Sequence, residues 1–266
     1  MPEMHVIDYQ IHGDDMQFVA IELDPGEAAV AEAGAMMFMD DGIEMETVFG
    51  DGSGQSTGFF GALVGAGKRL LTGESMFTTV YSHRGGSGKK RVAFAAPYPG
   101  KIIAVDLRTV GGDLRAQKDS FLAAAKGVSL GIAFQKKLGA GFFGGEGFVL
   151  QKLEGDGTVF LHAGGTLYSR ELAAGEVLRV DTGCVVAFQP SVGFDIEYVG
   201  KLKTALFGGE GLWFAKLTGP GRIWLQSLPF NRMADRIVTA AGHSGRGSGE
   251  EGSVLGGLGR MLDGDN

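Results

Sequence analysis

Three glutamates recur in one local pattern and are the residues of this chain best placed to do chemistry. Glu74, Glu146 and Glu210 each follow a glycine and precede an apolar run. A carboxylate in a Gly-rich turn can accept charge-assisted hydrogen bonds from backbone N–H groups. Alternatively, an internal repeat could bring the three carboxylates together around one cation. The structural role is favoured, because diverging repeats tend to retain the residues that determine the fold.

Basic residues precede each of these glutamates and form a second candidate set. They could contact an anionic ligand or a nucleic-acid phosphate. The formal net charge of −7 argues against a broad phosphate-binding surface, so the sequence gives no strong nucleic-acid signal. The set comprises Lys68, Arg69, Lys136, Lys137, Lys201 and Lys203.

An apolar group precedes Lys68 and has the spacing of one helical face. It consists of Phe59, Phe60, Leu63 and Val64. Such a face could belong to the core, to a subunit contact or to a membrane-surface contact. A subunit contact is favoured, and a peripheral membrane contact is not.

Motifs of catalysis and cofactor binding fail on inspection. Gly139 to Gly144 match G-x-G-x-x-G but lead into a β-type run, whereas the dinucleotide fingerprint opens a helix. The single cysteine, Cys184, lies in an apolar run and is expected to be a buried, inert thiol. His162 is expected to be a hydrogen-bonded strand residue, and the five histidines show no metal-ligand spacing. The sequence therefore predicts no catalytic residue, no cofactor, no metal and no enzymatic activity.

The elements that position these residues are predicted to be short strands. Glycine makes up 47 of 266 residues beside 44% hydrophobic residues, which indicates many tight turns between apolar segments. Alternating apolar residues at 130–134 and again at 194–198 indicate strands with one buried face. Phe121 to Ala125 favour a helix by propensity, but the matching β-branched run at 184–188 predicts a strand.

The landmarks repeat three times in the same order, which predicts three tandem, pseudo-symmetric all-β units. Pro25-Gly26, Gly112-Asp113 and Gly175-Glu176 begin the units, and the first unit carries an insertion. We place a single β body at 1–230, with repeats at about 5–105, 106–170 and 171–230. A short amphipathic helix is predicted at 231–242 and a Gly-rich tail at 243–266.

Location and assembly follow from the same reading. The sequence shows no cationic and apolar leader at its start and no apolar run near the ~20 residues that span a membrane, which predicts a cytoplasmic protein. Short β units leave sheet edges that must be paired or covered, which predicts a homo-oligomer.

The repeated segments resemble the "altered inheritance of mitochondria" family. The resemblance is carried by 68–77, which reads Lys-Arg-Leu-Leu-Thr-Gly-Glu-Ser-Met-Phe, and by the Phe-Gly-Gly-Glu-Gly segments at 143–147 and 207–211. It implies a fold similar to the tryptophan RNA-binding attenuation protein, with three short double-stranded β-helix units per chain and trimeric assembly. The family supplies no catalytic residues, and the RNA-binding role of the fold's namesake does not transfer with the fold.

Together, these observations predict a non-enzymatic, homo-oligomeric β scaffold or binding module, with a trimer favoured. The alternative is a protein that binds a small ligand or a nucleic acid through the repeated basic residues.

Overall fold

Short β-strands account for most of the computed structural model, which describes residues 7–49, 77–136, 147–198 and 213–243. The strands in these ranges are β1 (Asp8–His12), β2 (Phe18–Leu23), β3 (Ala28–Glu32), β4 (Met36–Met39), β5 (Ile43–Phe49), β6 (Phe77–His83), β7 (Lys90–Ala95), β8 (Gly100–Asp106), β9 (Asp113–Gln117), β10 (Phe121–Ala125), β11 (Ser129–Lys136), β12 (Phe148–Glu154), β13 (Thr158–Gly164), β14 (Leu167–Leu172), β15 (Val177–Asp181), β16 (Val185–Phe188), β17 (Gly193–Tyr198), β18 (Trp213–Thr218) and β19 (Gly221–Gln226). Single 3-10 turns occur at Leu107–Val110, Lys118–Ser120 and Thr182–Cys184.

These strands form four sheets. Sheet 1 has the order β1-β2-β7-β4, and sheet 2 has the order β5-β6-β3-β10-β13-β8. Sheet 3 has the order β11-β12-β9-β16-β19-β14, and sheet 4 has the order β15-β18-β17. The paired strands within the sheets are antiparallel. The prediction of an all-β fold with a short C-terminal helix is confirmed, and the structure adds that the sheets are antiparallel.

Three apolar cores lie between successive sheets. The core between sheets 1 and 2 contains Ile21, Phe94 and Phe160, and the core between sheets 2 and 3 contains Leu114 and Leu161. The core between sheets 3 and 4 is rich in aromatic side chains, with Phe148 and Phe188 both stacked on Phe194. The central strands of sheets 2 and 3, such as β10 and β16, are therefore buried on both faces.

The segment Phe121–Ala125 forms β10, so the prediction of a strand is confirmed. Its side chains alternate between two cores: Ala124 packs in the core shared with sheet 3, and Ala123 and Ala125 pack in the core shared with sheet 1. Alanine has the highest helix propensity, but its small side chain also fits a strand enclosed between two neighbouring strands and two packed layers. Tertiary packing overrides local propensity at this position.

Two compact units divide the chain, Met1–Asn231 and Arg232–Asn266. One helix, α1 (Phe230–His243), is described at the C-terminal end. It begins one residue before the predicted start at 231 and ends one residue after the predicted end at 242. Boundaries of this kind commonly shift by one or two residues, because the end of a helix depends on local hydrogen bonding.

Candidate functional site

Most of the predicted site residues lie outside the described residues. Of the predicted basic set, Lys136 is the member that the structure describes. The predicted site residues outside the described ranges are the three glutamates, the other five basic residues and the apolar group: Glu74, Glu146, Glu210, Lys68, Arg69, Lys137, Lys201, Lys203, Phe59, Phe60, Leu63 and Val64. Their roles stay predictions.

Lys136 is the last residue of β11, and its ammonium is held by its neighbours. Lys136 Nζ donates to the Ile196 carbonyl oxygen at 3.2 Å and lies 5.5 Å from the centroid of the Trp213 ring. The Tyr198 ring contacts the same indole at 4.8 Å between centroids. A cation over an aromatic face is attracted by the ring quadrupole. Lys136 therefore links β11 to β17 and β18, which is a structural role that the predicted set did not include.

A polar cluster lies where β3 ends and β10 begins. The Gln117 side chain caps the 3-10 turn at Lys118–Ser120, because its Oε1 accepts from the Asp119 N–H at 2.7 Å. The Gln117 amide also donates to Asp119 Oδ2 at 3.0 Å. Glu32 approaches this turn because β3 pairs with β10, with Ala31 opposite Ala123. Two carboxylates distant in sequence thus share one site.

The Glu32 carboxyl is the group of this cluster whose ionisation is most useful near neutral pH. Burial raises its pKa to about 7, and the negative charge of Asp119 adds to the rise, against an opposing effect of Lys118. A carboxyl of this kind can exchange a proton at physiological pH. The Glu32 side chain is nevertheless exposed to solvent at the end of β3, so screening limits what its charge costs the fold.

We expect Glu32→Gln to stabilise the protein more at pH 8 than at pH 5. Because the folded state holds this proton more tightly than the unfolded state, Glu32 contributes to stability in full below the unfolded pKa of 4.5. That contribution is lost as the pH rises from 4.5 through about 7. The amide removes the ionisation and keeps the shape. Urea midpoints of wild type and variant at the two pH values measure the difference, with Glu44→Gln as the control at an exposed carboxylate. An equal shift at both pH values contradicts the assigned pKa.

Tyr98 and His162 form an adjoining buried pair. Their rings meet edge to face, with centroids 4.4 Å apart, and the Phe230 ring lies 5.4 Å from Tyr98. Burial raises the pKa of Tyr98 to about 12, with smaller contributions from the charges of Asp119 and Glu32. His162 is almost fully buried in β13, and neither ring nitrogen has a hydrogen-bond partner among the described residues.

The prediction that His162 is a hydrogen-bonded strand residue is therefore wrong in one respect. It is a strand residue, but no described group meets hydrogen-bond geometry at either ring nitrogen. The Gly100 backbone approaches the ring closely, since a Cβ on Gly100 would stand 2.6 Å from His162 Nε2. Burial lowers the pKa of His162 to about 4, and the nearby Tyr98 backbone, which does not reach hydrogen-bond geometry, acts in the opposite direction. The imidazole is neutral at physiological pH.

A cleft of about 580 Å³ lies between β8 of sheet 2 and the strands β14 and β19 of sheet 3. Its lining combines the Trp224 indole with an ion pair, in which Arg222 Nε lies 3.3 Å from Glu171 Oε2. Gln189 Oε1 accepts from the Arg222 backbone N–H at 2.7 Å. The Arg108 side chain, by hydrogen bonding, lowers the pKa of Asp106 on the opposite wall. The cleft is thus mixed in polarity and has its charges paired.

Other features bear on the class of site. Among the residues that the structure describes, no three His, Cys, Asp or Glu side chains are grouped closely enough to hold a metal ion. Cys184 is partly exposed rather than buried as predicted, and it packs beside the core between sheets 3 and 4. Within the described ranges, no helix is long and apolar enough to cross a membrane.

β4 in sheet 1 and β15 in sheet 4 are edge strands, and each has one open side among the described strands. β4 has β7 on one side in sheet 1, and β15 has β18 on one side in sheet 4. β4 is also apolar and exposed, since Met37, Phe38 and Met39 are 55%, 38% and 39% exposed. An open edge with exposed apolar side chains is a template for pairing with another strand.

Comparison with known proteins places this fold among solved structures. A crystal structure of a Streptococcus pyogenes protein superimposes with a TM-score of 0.69 and 24% sequence identity, covering 88% of this chain and 99% of that one. This likeness establishes the fold alone. Among curated protein sequences, none matches the chain significantly. The family model described as mitochondrial biogenesis AIM24 matches residues 9–228. Because that match spans most of its length, the chain belongs to the AIM24 family.

Proposed function

We propose that this chain is a non-enzymatic, cytoplasmic β protein that self-associates, most simply as a trimer, and acts as a scaffold or binding module. The observation that carries the proposal is the exposed apolar edge of β4, formed by Met37, Phe38 and Met39. Soluble proteins ordinarily cover or charge such an edge, because it invites pairing with another chain. A subunit contact covers it without any change in the fold.

Three tandem, pseudo-symmetric units form part of this proposal. The pairing order supports them, since β2-β7-β4, β8-β13-β10 and β14-β19-β16 follow one scheme along the chain. Nine of the other ten strands give a second scheme, with β3-β6-β5, β9-β12-β11 and β15-β18-β17, and β1 pairs with β2 outside both schemes. Each unit thus supplies two three-stranded groups, and these groups must find partners in the next unit.

The separation of cleft and ionisable cluster supports the non-enzymatic part of the proposal. Acid–base catalysis needs a group that titrates near neutral pH within reach of a bound substrate. Glu32 has such a pKa but is not among the described residues that line the cleft. The charged residues of the cleft wall, Glu171 and Arg222, are instead engaged with each other.

The mass of the native protein in solution tests the proposal. We expect three times the chain mass of 27.9 kDa by light scattering coupled to size exclusion, at micromolar concentration and 150 mM salt. A mass of a single chain under these conditions contradicts self-association. Repeating the measurement in 1 M salt separates an assembly held by strand pairing and apolar contact, which persists, from one held by exposed charges, which weakens.

Binding of a small ligand is the second candidate, and the cleft beside Trp224 is the observation that favours it. Its size falls in the range of small-molecule sites, which combine apolar surface with a few polar groups. Nucleic-acid binding through the repeated basic residues is less well supported, because the described member, Lys136, already contacts Ile196 and Trp213.

A further inference from the structure

Two junctions within the chain show how one unit joins the next. β3 pairs with β10 of the following unit to complete sheet 2, and β9 pairs with β16 of the following unit to complete sheet 3. Each junction turns two three-stranded groups into one six-stranded sheet. Among the described strands, sheet 4 ends in β15 and sheet 1 ends in β4. The three strands of sheet 4 correspond to one half of a six-stranded sheet, and β2-β7-β4 of sheet 1 correspond to the other half.

The strand β4 is the counterpart of β10 and β16. All three pair with the last strand of their own unit, and all three carry a bulge after their first residue. The register shifts lie between Met36 and Phe38 against β7, between Phe121 and Ala123 against β13, and between Val185 and Ala187 against β19. Phe38 therefore corresponds to Ala123 and Ala187, and Met39 corresponds to Ala124 and Phe188.

Burial separates the counterparts. Ala123, Ala124 and Ala187 are fully buried, and Phe188 is nearly so, because a neighbouring unit covers them. Phe38 and Met39 occupy the same positions and remain more than a third exposed. On the other side, Val30 of β3 is fully buried, whereas Arg179 of β15 is exposed. Among the described residues, the two open edges thus lack the cover that their counterparts have.

On both β15 and β4, backbone N–H and C=O groups face the open side of the sheet, where they can pair with another strand. The Gly219 N–H donates to the Glu176 oxygen at 2.9 Å, so alternate peptide groups of β15, at Val177 and Arg179, face the open side. The Asp40 N–H donates to the Arg91 oxygen at 2.8 Å, so the peptide group of Met39 faces the open side of β4. The counterpart Ala28 shows the completed contact, because its oxygen accepts from the Lys126 N–H at 3.0 Å.

We propose that β15 of one copy pairs antiparallel with β4 of a second copy of this chain, head to tail, to complete a third six-stranded sheet. This inference rests on the proposed self-association and names its interface. The internal junction of β9 with β16 sets the register, in which Ala187 is opposite Ala116 and Phe188 is opposite Arg115. By correspondence, Phe38 lies opposite Val180 of the second copy, and Met39 lies opposite Arg179.

Such a contact joins two different surfaces, so it produces either a closed ring or an open filament. A ring of three copies forms three new junctions and leaves neither β4 nor β15 open. Each junction also covers Phe38 and Met39, as Ala187 and Phe188 are covered inside the chain. A symmetric contact would instead pair β4 with β4, or β15 with β15. It would not join the two different kinds of three-stranded group, as the junctions inside the chain do.

Proline at one edge or the other tests the head-to-tail contact. Met39→Pro removes an N–H that faces the open side of β4, and Arg179→Pro does the same for β15, so the bonds within each sheet are kept. We expect each variant alone to have the mass of a single chain by light scattering. Mixed in equal amounts, the two should give a dimer and nothing larger, because the intact β15 of the first variant pairs with the intact β4 of the second.

A third proline variant is the matched control. Ser169 lies on the exposed edge strand β14, and the bond from the Ser227 N–H to the Thr166 oxygen places the Ser169 peptide group on the outer side. Ser169→Pro should keep the wild-type mass. A variant of β4 without proline, Phe38→Lys, places a charge at the position where the counterparts Ala123 and Ala187 are fully buried. We expect this variant also to be monomeric, whereas Phe38→Leu should assemble like the wild type.

The outcomes separate this inference from the proposed function. A wild type that assembles while Met39→Pro, Arg179→Pro and Phe38→Lys all keep its mass overturns the head-to-tail contact and leaves self-association standing. A monomeric wild type removes both. The contact is also overturned if the two proline variants are each monomeric alone and form no dimer when they are mixed. Circular dichroism of each variant establishes that it is folded.

Discussion

Phe160→Ala should lower the free energy of unfolding by about 3–5 kcal/mol, which is the usual cost of truncating a buried aromatic side chain. Phe160 lies on β13 and has no exposed surface. Its ring packs in the core between sheets 1 and 2 and meets the Tyr9 ring edge to face, with centroids 4.9 Å apart. The loss combines the transfer free energy of the ring with the cavity that β-sheets on both sides cannot collapse to fill.

Urea denaturation at pH 7.5 measures this effect, with all proteins at one fixed concentration because assembly contributes to apparent stability. Tyr168→Ala is the control. Tyr168 is an aromatic residue of the edge strand β14 and is 53% exposed, so its truncation should change the free energy of unfolding by less than about 1 kcal/mol. Similar losses for the two variants would show that Phe160 does not occupy a close-packed core.

His162 should make the protein less stable in mild acid by about 3 kcal/mol between pH 6.5 and pH 4. The unfolded imidazole takes up a proton near its ordinary pKa of 6.5, whereas burial holds the folded pKa near 4. Between these values the unfolded state binds more protons, so stability is fully present above pH 6.5 and falls with pH by about 1.4 kcal/mol per unit. Below about pH 4 both states are protonated and the loss stops.

The variant His162→Leu isolates this contribution. Leucine cannot be protonated and suits the apolar surroundings, so the stability of the variant relative to wild type should rise steadily as the pH falls from 6.5 to 4. The comparison with wild type cancels the other titrations, including that of Glu32, which acts in the opposite direction between its unfolded pKa of 4.5 and about 7. A constant difference across this pH range would contradict the buried, neutral state of His162.

The sequence by itself determined the class of fold and much of the strand pattern. Apolar alternation and frequent glycine predict short strands, and the observed β11 and β17 coincide with the alternating segments. The repeat also predicted the strand at Phe121–Ala125 against its helix propensity. These predictions succeed because local alternation and turn chemistry are encoded in neighbouring residues.

Only the tertiary structure decided which side chains meet. Glu32 and Asp119 share a cluster because β3 pairs with β10, and no local pattern in the sequence signals a contact across that separation. The sequence assigned Lys136 to a set of basic residues for ligand binding. In the fold its ammonium instead lies near the Trp213 ring and donates to the Ile196 carbonyl oxygen. His162 gave no sign of its missing partners, because burial and the close approach of Gly100 come from packing.

The same division applies to the two open edges. Phe38 and Met39 belong to a short apolar segment, as do the residues at 123–124 and 187–188, so the three segments have the same local character in the sequence. Strand pairing leaves the first of them exposed and buries the other two. The physical reason is that the partner of an edge strand is chosen by distant segments of chain, and in an assembly by a second molecule. Local sequence fixes that a strand forms, and the tertiary structure fixes what it still has to bind.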